Sequence, residues 1–219
     1  MVDRYEILES VSQGENREVS PENERMARIA NDIRRAVGSC TTDEREYGTG
    51  DCNGAILNEL EKRCAEQWAK ENNCWIPFNK IFKLGVPGPS GSESDTYISE
   101  GKLVYKVNNL LHCQDSIILL LAKTVIYNEL FPDSSYTLIG FTGFEGRSIY
   151  PVLRQGYISK GKPATKNEID CYMAACNFEK IGDGRYANDK YELWDILPKN
   201  VLKDETGDVF VIDLEIKVK

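Results

Sequence analysis

Residues 116–130, near the middle of the chain, are apolar on nearly every side of a helix. The longest uninterrupted apolar run in this segment, Ile117–Ala122, has six residues, whereas a membrane-spanning helix needs about 20. A helix of this kind is stable in water only when other elements bury it on all sides. Phe131 and Pro132 predict its end, because proline cannot continue a helix. The chain is therefore expected to fold around this helix, with no membrane involved.

Short segments of strand-like composition lie on both sides of the predicted buried helix. Three precede it and two follow it: Lys80–Leu84, Asp95–Ser99, Lys102–Val107, Tyr136–Thr142 and Arg147–Arg154. Glu100-Gly101 and Glu145-Gly146 join two pairs of these segments by tight turns, which is typical of antiparallel hairpins. The pattern predicts an α+β fold with an antiparallel five-stranded sheet and one inserted helix.

Two further elements are predicted after the fifth strand. Thr165–Cys176 has the pattern of a short helix, with Thr165 as its N-cap. Asn200–Lys203 and Asp208–Ile212 form a predicted hairpin around the turn at 205–207. The C-terminal part of the chain is therefore expected to be one helix and one hairpin.

The first part of the chain is predicted to be helical. Residues 1–20 are polar and charged, which predicts a loose arm. Apolar residues at helical spacing predict two amphipathic helices at 22–37 and 55–72, separated by the turn-forming residues of 38–53. Such helices gain most of their stability by docking on other parts of a protein. We expect them to pack on the rest of this chain, and the alternative is that they bind a partner protein.

The 219 residues carry 35 acidic and 27 basic side chains, which gives a net charge of −8. This balance argues against nucleic acid as a partner, since binding to its backbone needs a basic surface. The seven cysteines include no Cys-x-x-Cys pair and there is one histidine, so no zinc cluster is predicted. The N-terminal residues lack the basic and apolar regions of a signal peptide. Reduced thiols and a cytoplasmic location are expected.

Three oxygen-bearing side chains near the C-terminus have the most informative spacing. Asp195 lies five residues before Asn200, and Asp213 lies thirteen residues after it. Because a predicted hairpin connects Asn200 to Asp213, these two side chains should lie side by side at its open end. Hard oxygen ligands of this kind hold Mg²⁺, and phosphoryl transfer depends on such positioning. The alternative is that the three residues only form turns, as aspartate and asparagine commonly do.

This spacing resembles the catalytic loop and metal-binding segment of protein kinases, in which D-x-x-x-x-N precedes the aspartate of D-F-G. The resemblance implies that Asp195 is the catalytic base and that Asn200 and Asp213 are ligands of Mg²⁺. Upstream, Leu103–Lys106 resembles the V-A-I-K strand, which implies that Lys106 contacts the α- and β-phosphates as a second catalytic residue. The implied cofactors are ATP and Mg²⁺.

Other parts of a nucleotide site are implied by the same resemblance. The glycine-rich loop before Lys106 would be the lid, and the residues after the fifth predicted strand would be the hinge between lobes. The implied nucleotide-binding residues, besides Lys106, are Gly85, Gly88, Gly91, Gln155 and Tyr157. A glycine-rich loop alone is weak evidence, because such loops are common.

Glu93 is a further nucleotide-site candidate, as the predicted ion-pair partner of Lys106. The predicted buried helix has no acidic residue in its middle, and its Glu129 lies at the very end. Glu93 lies in the lid loop, one strand from the lysine. A carboxylate is expected there because the flexible stem of lysine needs a partner to fix it.

A narrower family is similar to more of the chain. The segments 91–97, 128–132 and 195–202, with Gly140-Phe141, resemble the compact kinase-like domains of bacterial polyvalent proteins, which phages and conjugative mobile elements carry. The resemblance covers about Trp75–Lys219. It implies a helical N-terminal extension, residues 1–74, and a minimal kinase-like domain, residues 75–219, with a five-stranded N-lobe.

The chain also departs from the kinase pattern. Leu193 and Trp194 occupy the positions of histidine and arginine in H-R-D, and Asp213 is followed by Leu214-Glu215 instead of Phe-Gly. The chain ends six residues after Asp213, so a much reduced C-lobe without an activation loop is expected.

Different functions are therefore open. One is an ATP- and Mg²⁺-dependent phosphotransferase whose acceptor, a protein or a small molecule, is unknown. Another is a pseudokinase, a nucleotide-binding or protein-interaction module without turnover. A small-molecule phosphotransferase of the aminoglycoside-kinase type is a third, because those enzymes also lack an activation loop.

Overall fold

The computed structural model describes residues 3–12, 20–46 and 54–219. These residues form a mixture of helices and antiparallel sheets, so the α+β class is confirmed. The helices are α1 (Arg4–Ser12), α2 (Pro21–Glu46), α3 (Gly54–Glu71), α4 (Phe78–Ile81), α5 (Ile117–Leu130) and α6 (Lys166–Ala175).

The strands form three sheets. Five strands make the first, in the order β1-β2-β3-β5-β4: β1 (Val86–Pro87), β2 (Ser94–Ile98), β3 (Leu103–Asn108), β4 (Thr137–Phe144) and β5 (Ser148–Gly156). Three make the second, in the order β11-β10-β6: β6 (Lys162–Pro163), β10 (Val201–Lys203) and β11 (Val209–Val211). Four make the third, in the order β12-β9-β8-β7: β7 (Glu179–Gly182), β8 (Arg185–Ala187), β9 (Tyr191–Trp194) and β12 (Glu215–Val218).

The described residues divide into two compact units. The N-terminal unit contains Asp3–Val125 and Tyr136–Gln155, and therefore holds α1 to α4 together with the five-stranded sheet. The C-terminal unit contains Ile126–Ser135 and Gly156–Lys219, with α6 and the two smaller sheets. Helix α5 begins in the first unit and ends in the second.

The predicted five-stranded sheet is present, but its first strand was predicted in the wrong place. Residues 80–84 were predicted to form it, yet Phe78–Ile81 form a short helix after Pro77, and β1 follows at Val86–Pro87. Ile81 is buried in the core of this unit with Tyr97. A helix of one turn is too short to show a helical repeat, so its residues were assigned to a strand.

The N-terminal helices differ from the prediction at two points. Residues 4–12 are helical and not a loose arm, because Ile7 and Leu8 are buried. Helix α2 continues through Gly38 to Glu46, since one glycine costs a long helix only about 1 kcal/mol. The rest of the predicted break, residues 47–53, and the rest of the predicted arm, residues 13–19, lie outside the described residues.

The predicted central helix is confirmed as α5. Ile117, Ile118, Leu121 and Ile126 are fully buried, and the Oγ of Ser116 accepts a hydrogen bond from the N–H of Leu119 at 3.1 Å. Ser116 is therefore the N-cap of the helix. Within the described ranges, no helix is both long and apolar enough to cross a membrane.

The predicted short helix is confirmed as α6, and a capping box explains its start. The Oγ1 of Thr165 accepts a hydrogen bond from the N–H of Glu168 at 3.3 Å, and Oε2 of Glu168 accepts one from the N–H of Thr165 at 2.8 Å. Lys203 also donates to the Glu168 carboxylate. The Lys203 ammonium, followed by the Thr165 donors, lowers the pKa of Glu168 to about 2.

Glu168 is expected to make the stability of the protein depend on pH in the acid range. Its folded pKa of about 2 is below the ordinary value of 4.5, so its contribution is complete above pH 4.5 and is lost as the pH falls toward 2. The Glu168→Gln variant lacks this contribution. Urea unfolding between pH 2 and 6 should show a difference between wild type and variant that shrinks as the pH falls. A difference independent of pH would contradict the assignment.

The four-stranded sheet was not predicted. Its strands are only three or four residues long, too short to show a clear alternation. One signal was present in the sequence, since Asp183-Gly184 is a dipeptide that favours hairpin turns and Gly184 has φ of +64°. This sheet matters for the site because β9 ends at Trp194, immediately before Asp195.

Candidate functional site

The β10–β11 hairpin brings Asn200 and Asp213 to the same end of two neighbouring strands. Val201 pairs with Val211 and Lys203 pairs with Val209. Beyond the last pair, the N–H of Ile212 donates to the carbonyl oxygen of Asn200 at 2.8 Å. Asn200 and Asp213 are therefore neighbours at the open end of the hairpin, and the hairpin itself was predicted correctly.

Asn200 also holds the loop that begins at Asp195. Its Nδ2 donates to the main-chain oxygen of Asp195 at 2.9 Å and to Oδ2 of the same residue at 2.8 Å. Since Nδ2 is directed at Asp195, the amide oxygen of Asn200 is directed away from it. Asn200 is buried and Asp195 is exposed, so the loop is fixed from its inner end.

Asp195 has a left-handed backbone, with φ of +61°. Aspartate tolerates this region better than most residues, but the conformation still costs free energy and needs surrounding contacts to hold it. The Asn200 bonds and the bond from the N–H of Leu197 to the Asp195 carbonyl, 2.9 Å long, supply such contacts. Strain of this kind occurs often at functional sites.

Lys199 is a residue of this loop to which the sequence reasoning gave no role. Its Nζ lies 2.9 Å from Oδ2 of Asp195, and both side chains are substantially exposed. Lys199 directly precedes Asn200, and a cation between two candidate site residues was a signal available in the sequence. The loop therefore presents a carboxylate and an ammonium group together at the surface.

In the N-terminal unit, Lys106 contacts a tyrosine. Lys106 lies on β3 opposite Thr96 of β2, and its Nζ donates to the Oη of Tyr136 at 2.6 Å. The same Nζ lies 5.0 Å from the centre of the Tyr136 ring, within the range of a cation–π interaction. Tyr136 was not predicted as a site residue, because it lies 30 residues further along the chain.

The structure does not bring Glu93 to Lys106. Oε1 of Glu93 accepts a hydrogen bond from Nδ2 of Asn108 at 3.1 Å. The register explains this, because Ser94 pairs with Asn108 and Glu93 therefore lies at the end of the strand pair, away from the Thr96–Lys106 position. The predicted Lys106–Glu93 ion pair is thus not formed among the described residues, and a role for Glu93 in nucleotide binding stays a prediction.

The three predicted loop glycines have different surroundings. A Cβ on Gly85 would lie 2.3 Å from the carbonyl oxygen of Ile98, so packing of β1 against β2 requires glycine there. Gly88 donates its N–H to the oxygen of Thr96 at 2.8 Å and lies against the side chains of Thr96 and Ile98. Since Thr96 is the cross-strand neighbour of Lys106, Gly88, Thr96 and Lys106 lie in one row across three neighbouring strands. Gly91 has open space around it.

The two predicted hinge residues lie at the division between the units. Gln155 is buried near the end of β5 and is the last residue of the N-terminal unit. Tyr157 belongs to the C-terminal unit, and its side chain is exposed. Their predicted role in nucleotide binding stays a prediction.

The C-terminal unit also has a cavity of about 660 Å³ at the other end of the β10–β11 hairpin. Its lining comes from α6, the hairpin turn and the residues after α5, and includes Tyr172, Lys203, Asp208 and Phe210. Asp195, Asn200 and Asp213 are not part of this lining. The cavity is therefore separate from the predicted metal-ligand pair.

The donor atoms at the open end of the hairpin suit Mg²⁺. The amide oxygen of Asn200 and the carboxylate of Asp213 are hard oxygen ligands, and two such ligands leave room for water and phosphate oxygens. Among the described residues, no group of three or more His, Cys, Asp or Glu side chains is placed to hold a metal ion. Metal binding by the Asn200–Asp213 pair stays a prediction, and it would need further oxygens from water or a bound phosphate.

A glycine-containing hairpin, a strand lysine and an Asp–Asn–Asp set are parts found together in kinase-like domains. Residues 58–219 match the model of the family described as Serine/Threonine/Tyrosine Kinase found in polyvalent proteins, and this chain belongs to that family. The resemblance predicted from the sequence is therefore confirmed. The match begins within α3, so α1 and α2 lie outside it. No curated protein is recognisably similar to the chain.

Proposed function

We propose that this protein is an ATP- and Mg²⁺-dependent phosphotransferase with a minimal kinase-like fold, carried by a bacterial mobile element or a phage. The observation that carries the proposal is the Asn200 side chain. It holds the Asp195 loop by Nδ2 while its main chain pairs with Ile212, next to Asp213. One asparagine thus ties a candidate base to a candidate metal-ligand pair.

Each residue has a proposed role in phosphoryl transfer. The exposed carboxylate of Asp195 accepts the proton of the acceptor hydroxyl, and Lys199 and Asn200 hold it in place. Lys106 and the loop at Gly88 contact the phosphates of ATP. Asn200 and Asp213 hold Mg²⁺, which supplies neutralisation of phosphate charge when bound.

The last two residues of β9, Leu193 and Trp194, hold the start of the Asp195 loop. They stand where other kinases have a histidine and an arginine. Leu193 is fully buried, and the Trp194 ring has Arg185 Cζ at 4.1 Å and Lys217 Nζ at 3.4 Å from its centre. Packing and cation–π contacts can therefore do what the missing H-R side chains do in other kinases. We propose that the loop is competent despite the departure from the family pattern.

A pseudokinase is the second candidate, and one observation favours it. Oδ2 of Asp195 accepts from Nδ2 of Asn200 and is paired with Lys199 at the same time. A carboxylate oxygen that already has two partners is less accessible to the hydroxyl of a phosphate acceptor. In this alternative the protein binds nucleotide without turnover.

ATP with Mg²⁺ is expected to raise the melting temperature of the protein. A ligand at about 100 times its dissociation constant stabilises a folded protein by roughly 2.7 kcal/mol. The measurement is thermal unfolding with and without ATP and Mg²⁺, with calorimetry for the affinity. Lys106→Met is the control variant and should show a smaller shift. If no nucleotide changes the melting temperature or gives binding heat, both the phosphotransferase and the nucleotide-binding pseudokinase are wrong.

A further inference from the structure

A buried tyrosine fixes the position of the candidate nucleotide lysine. Tyr136 is 8% exposed, and its hydroxyl accepts a 2.6 Å hydrogen bond from Nζ of Lys106. A lysine side chain is flexible and its ammonium group can occupy many positions. The hydroxyl and the ring of Tyr136 both contact that group, so a shift of Tyr136 would change two of its contacts.

Two residues after Tyr136, the main chain of Leu138 is held by side chains of α2. The N–H of Leu138 donates to Oε1 of Glu22 at 3.0 Å, and its carbonyl oxygen accepts from Nη1 of Arg25 at 2.7 Å. The same Nη1 donates to the same Oε1 at 2.9 Å. Leu138, Glu22 and Arg25 therefore form a closed ring of three hydrogen bonds.

This ring lies at an edge of the five-stranded sheet. Strand β4 is the outer strand of the sheet, so its outward N–H and C=O groups find partners elsewhere, and those of Phe141 bond to Cys74 and Ile76. The Glu22–Arg25 pair offers one acceptor and one donor at the positions a neighbouring strand would supply. Both side chains are about one-quarter to one-third exposed, which partly shields the ring from water.

The strand needs this support at Leu138 in particular. The register between β4 and β5 shifts between Leu138 and Gly140, where a bulge interrupts the ladder. Pairing with β5 is therefore irregular directly after Leu138, whereas Thr137, next to Tyr136, pairs with Arg154. The α2 side chains fix this point from the other side.

We propose that Glu22 and Arg25 are positioning residues for nucleotide binding, acting through Leu138 and Tyr136 on Lys106. The inference rests on the proposed function, in which Lys106 contacts the phosphates of ATP. Helix α2 lies outside the residues matched by the family, 58–219, so the family pattern does not assign this role. In this proposal, helix α2 contributes to nucleotide binding although it lies before the matched region.

The test compares ATP affinity, in the presence of Mg²⁺, between the 219-residue wild type and single variants of it. Arg25→Gln, Glu22→Gln and Tyr136→Phe are each expected to weaken binding about tenfold, the effect of losing a hydrogen bond to a charged group. The matched control is Arg35→Gln, because Arg35 pairs with Asp32 at the same i,i+3 spacing on the same helix but does not contact β4. The control should bind ATP like wild type.

A merely structural role is distinguished by repeating the variants with Lys106→Met. If the hydrogen bonds of Leu138 with Glu22 and Arg25 act through Lys106, Arg25→Gln and Tyr136→Phe should lower ATP affinity little further in the Lys106→Met background. Equal losses in both backgrounds would show a general structural effect and overturn the inference. Should Arg25→Gln fail to fold, Tyr136→Phe and Glu22→Gln carry the same comparison.

The failure of this inference differs from the failure of the proposed function. Wild type that binds no nucleotide would end the proposed function and the inference with it. Wild type that binds ATP, with Lys106→Met weakened but Arg25→Gln and Glu22→Gln equal to Arg35→Gln, would overturn the inference alone.

Discussion

Asp213→Asn is expected to lower both Mg²⁺-dependent ATP affinity and turnover, whereas Asp195→Asn is expected to leave affinity intact and lower turnover by about 10²–10⁴-fold. Asp213 is proposed to hold the metal, so losing its charge weakens binding itself. Asp195 is proposed to meet the acceptor hydroxyl, so losing its charge affects only the transfer. The two variants should therefore fail in different ways.

The structure makes Asp195→Asn a clean substitution. In wild type, Nδ2 of Asn200 donates to Oδ2 of Asp195 at 2.8 Å. An asparagine at position 195 keeps an oxygen that can accept this hydrogen bond, so the loop should keep its shape. What is lost is the negative charge opposite Lys199. A left-handed backbone at 195 is also tolerated by asparagine.

The measurement is ATP hydrolysis or phosphorylation beside ATP affinity, for wild type and both variants. Asp208→Asn is the matched control, because Asp208 lies at the turn end of the same hairpin, where its carboxylate accepts from Thr206. Equal loss of affinity in Asp195→Asn and Asp213→Asn would show that Asp195 is structural. If wild type binds ATP but its turnover does not exceed background, the phosphotransferase is wrong and the pseudokinase is the remaining candidate.

Helices α2 and α3 could be predicted because each repeats an apolar face over several turns. Helix α5 was predicted from a segment that is apolar on nearly every side, and α6 as a short helix with Thr165 as its N-cap. The four-residue α4 offers a single turn and was mistaken for a strand. The four-stranded sheet was missed for a related reason. Its short strands are stabilised by cross-strand pairing and by cations on Trp194, neither of which shows in local periodicity.

The site shows the same limit. The neighbourhood of Asn200 and Asp213 could be predicted because one short hairpin creates it, and hairpins are local. The contact between Lys106 and Tyr136 could not be predicted, because the two residues are 30 positions apart in the sequence. Nor could the contacts of Leu138 with α2, whose side chains lie more than 110 positions before Leu138. Contacts at such separations depend on how elements pack, which a single sequence does not reveal.

Glu61 of α3 is a fully buried carboxylate held by groups from two other parts of the N-terminal unit. Nη1 of Arg4 in α1 donates to Oε1 at 2.5 Å. At the start of α5, the hydroxyl of Ser116 donates to Oε2 at 2.7 Å and the N–H of Ile118 donates to it at 3.3 Å. One side chain thus joins three helices.

Glu61→Ala is expected to destabilise the protein by about 3–5 kcal/mol, since removing one partner of a buried ion pair leaves the other without compensation. Arg4 has 14% side-chain exposure, so water replaces the carboxylate poorly, and Ser116 loses an acceptor. Urea unfolding gives the free energy, and Glu59→Ala on the exposed side of α3 is the matched control. The double variant Arg4→Met, Glu61→Leu should recover much of the loss, because apolar packing can replace a buried pair. A loss no larger than that of Glu59→Ala would mean that α1 and α5 hold their places without this carboxylate.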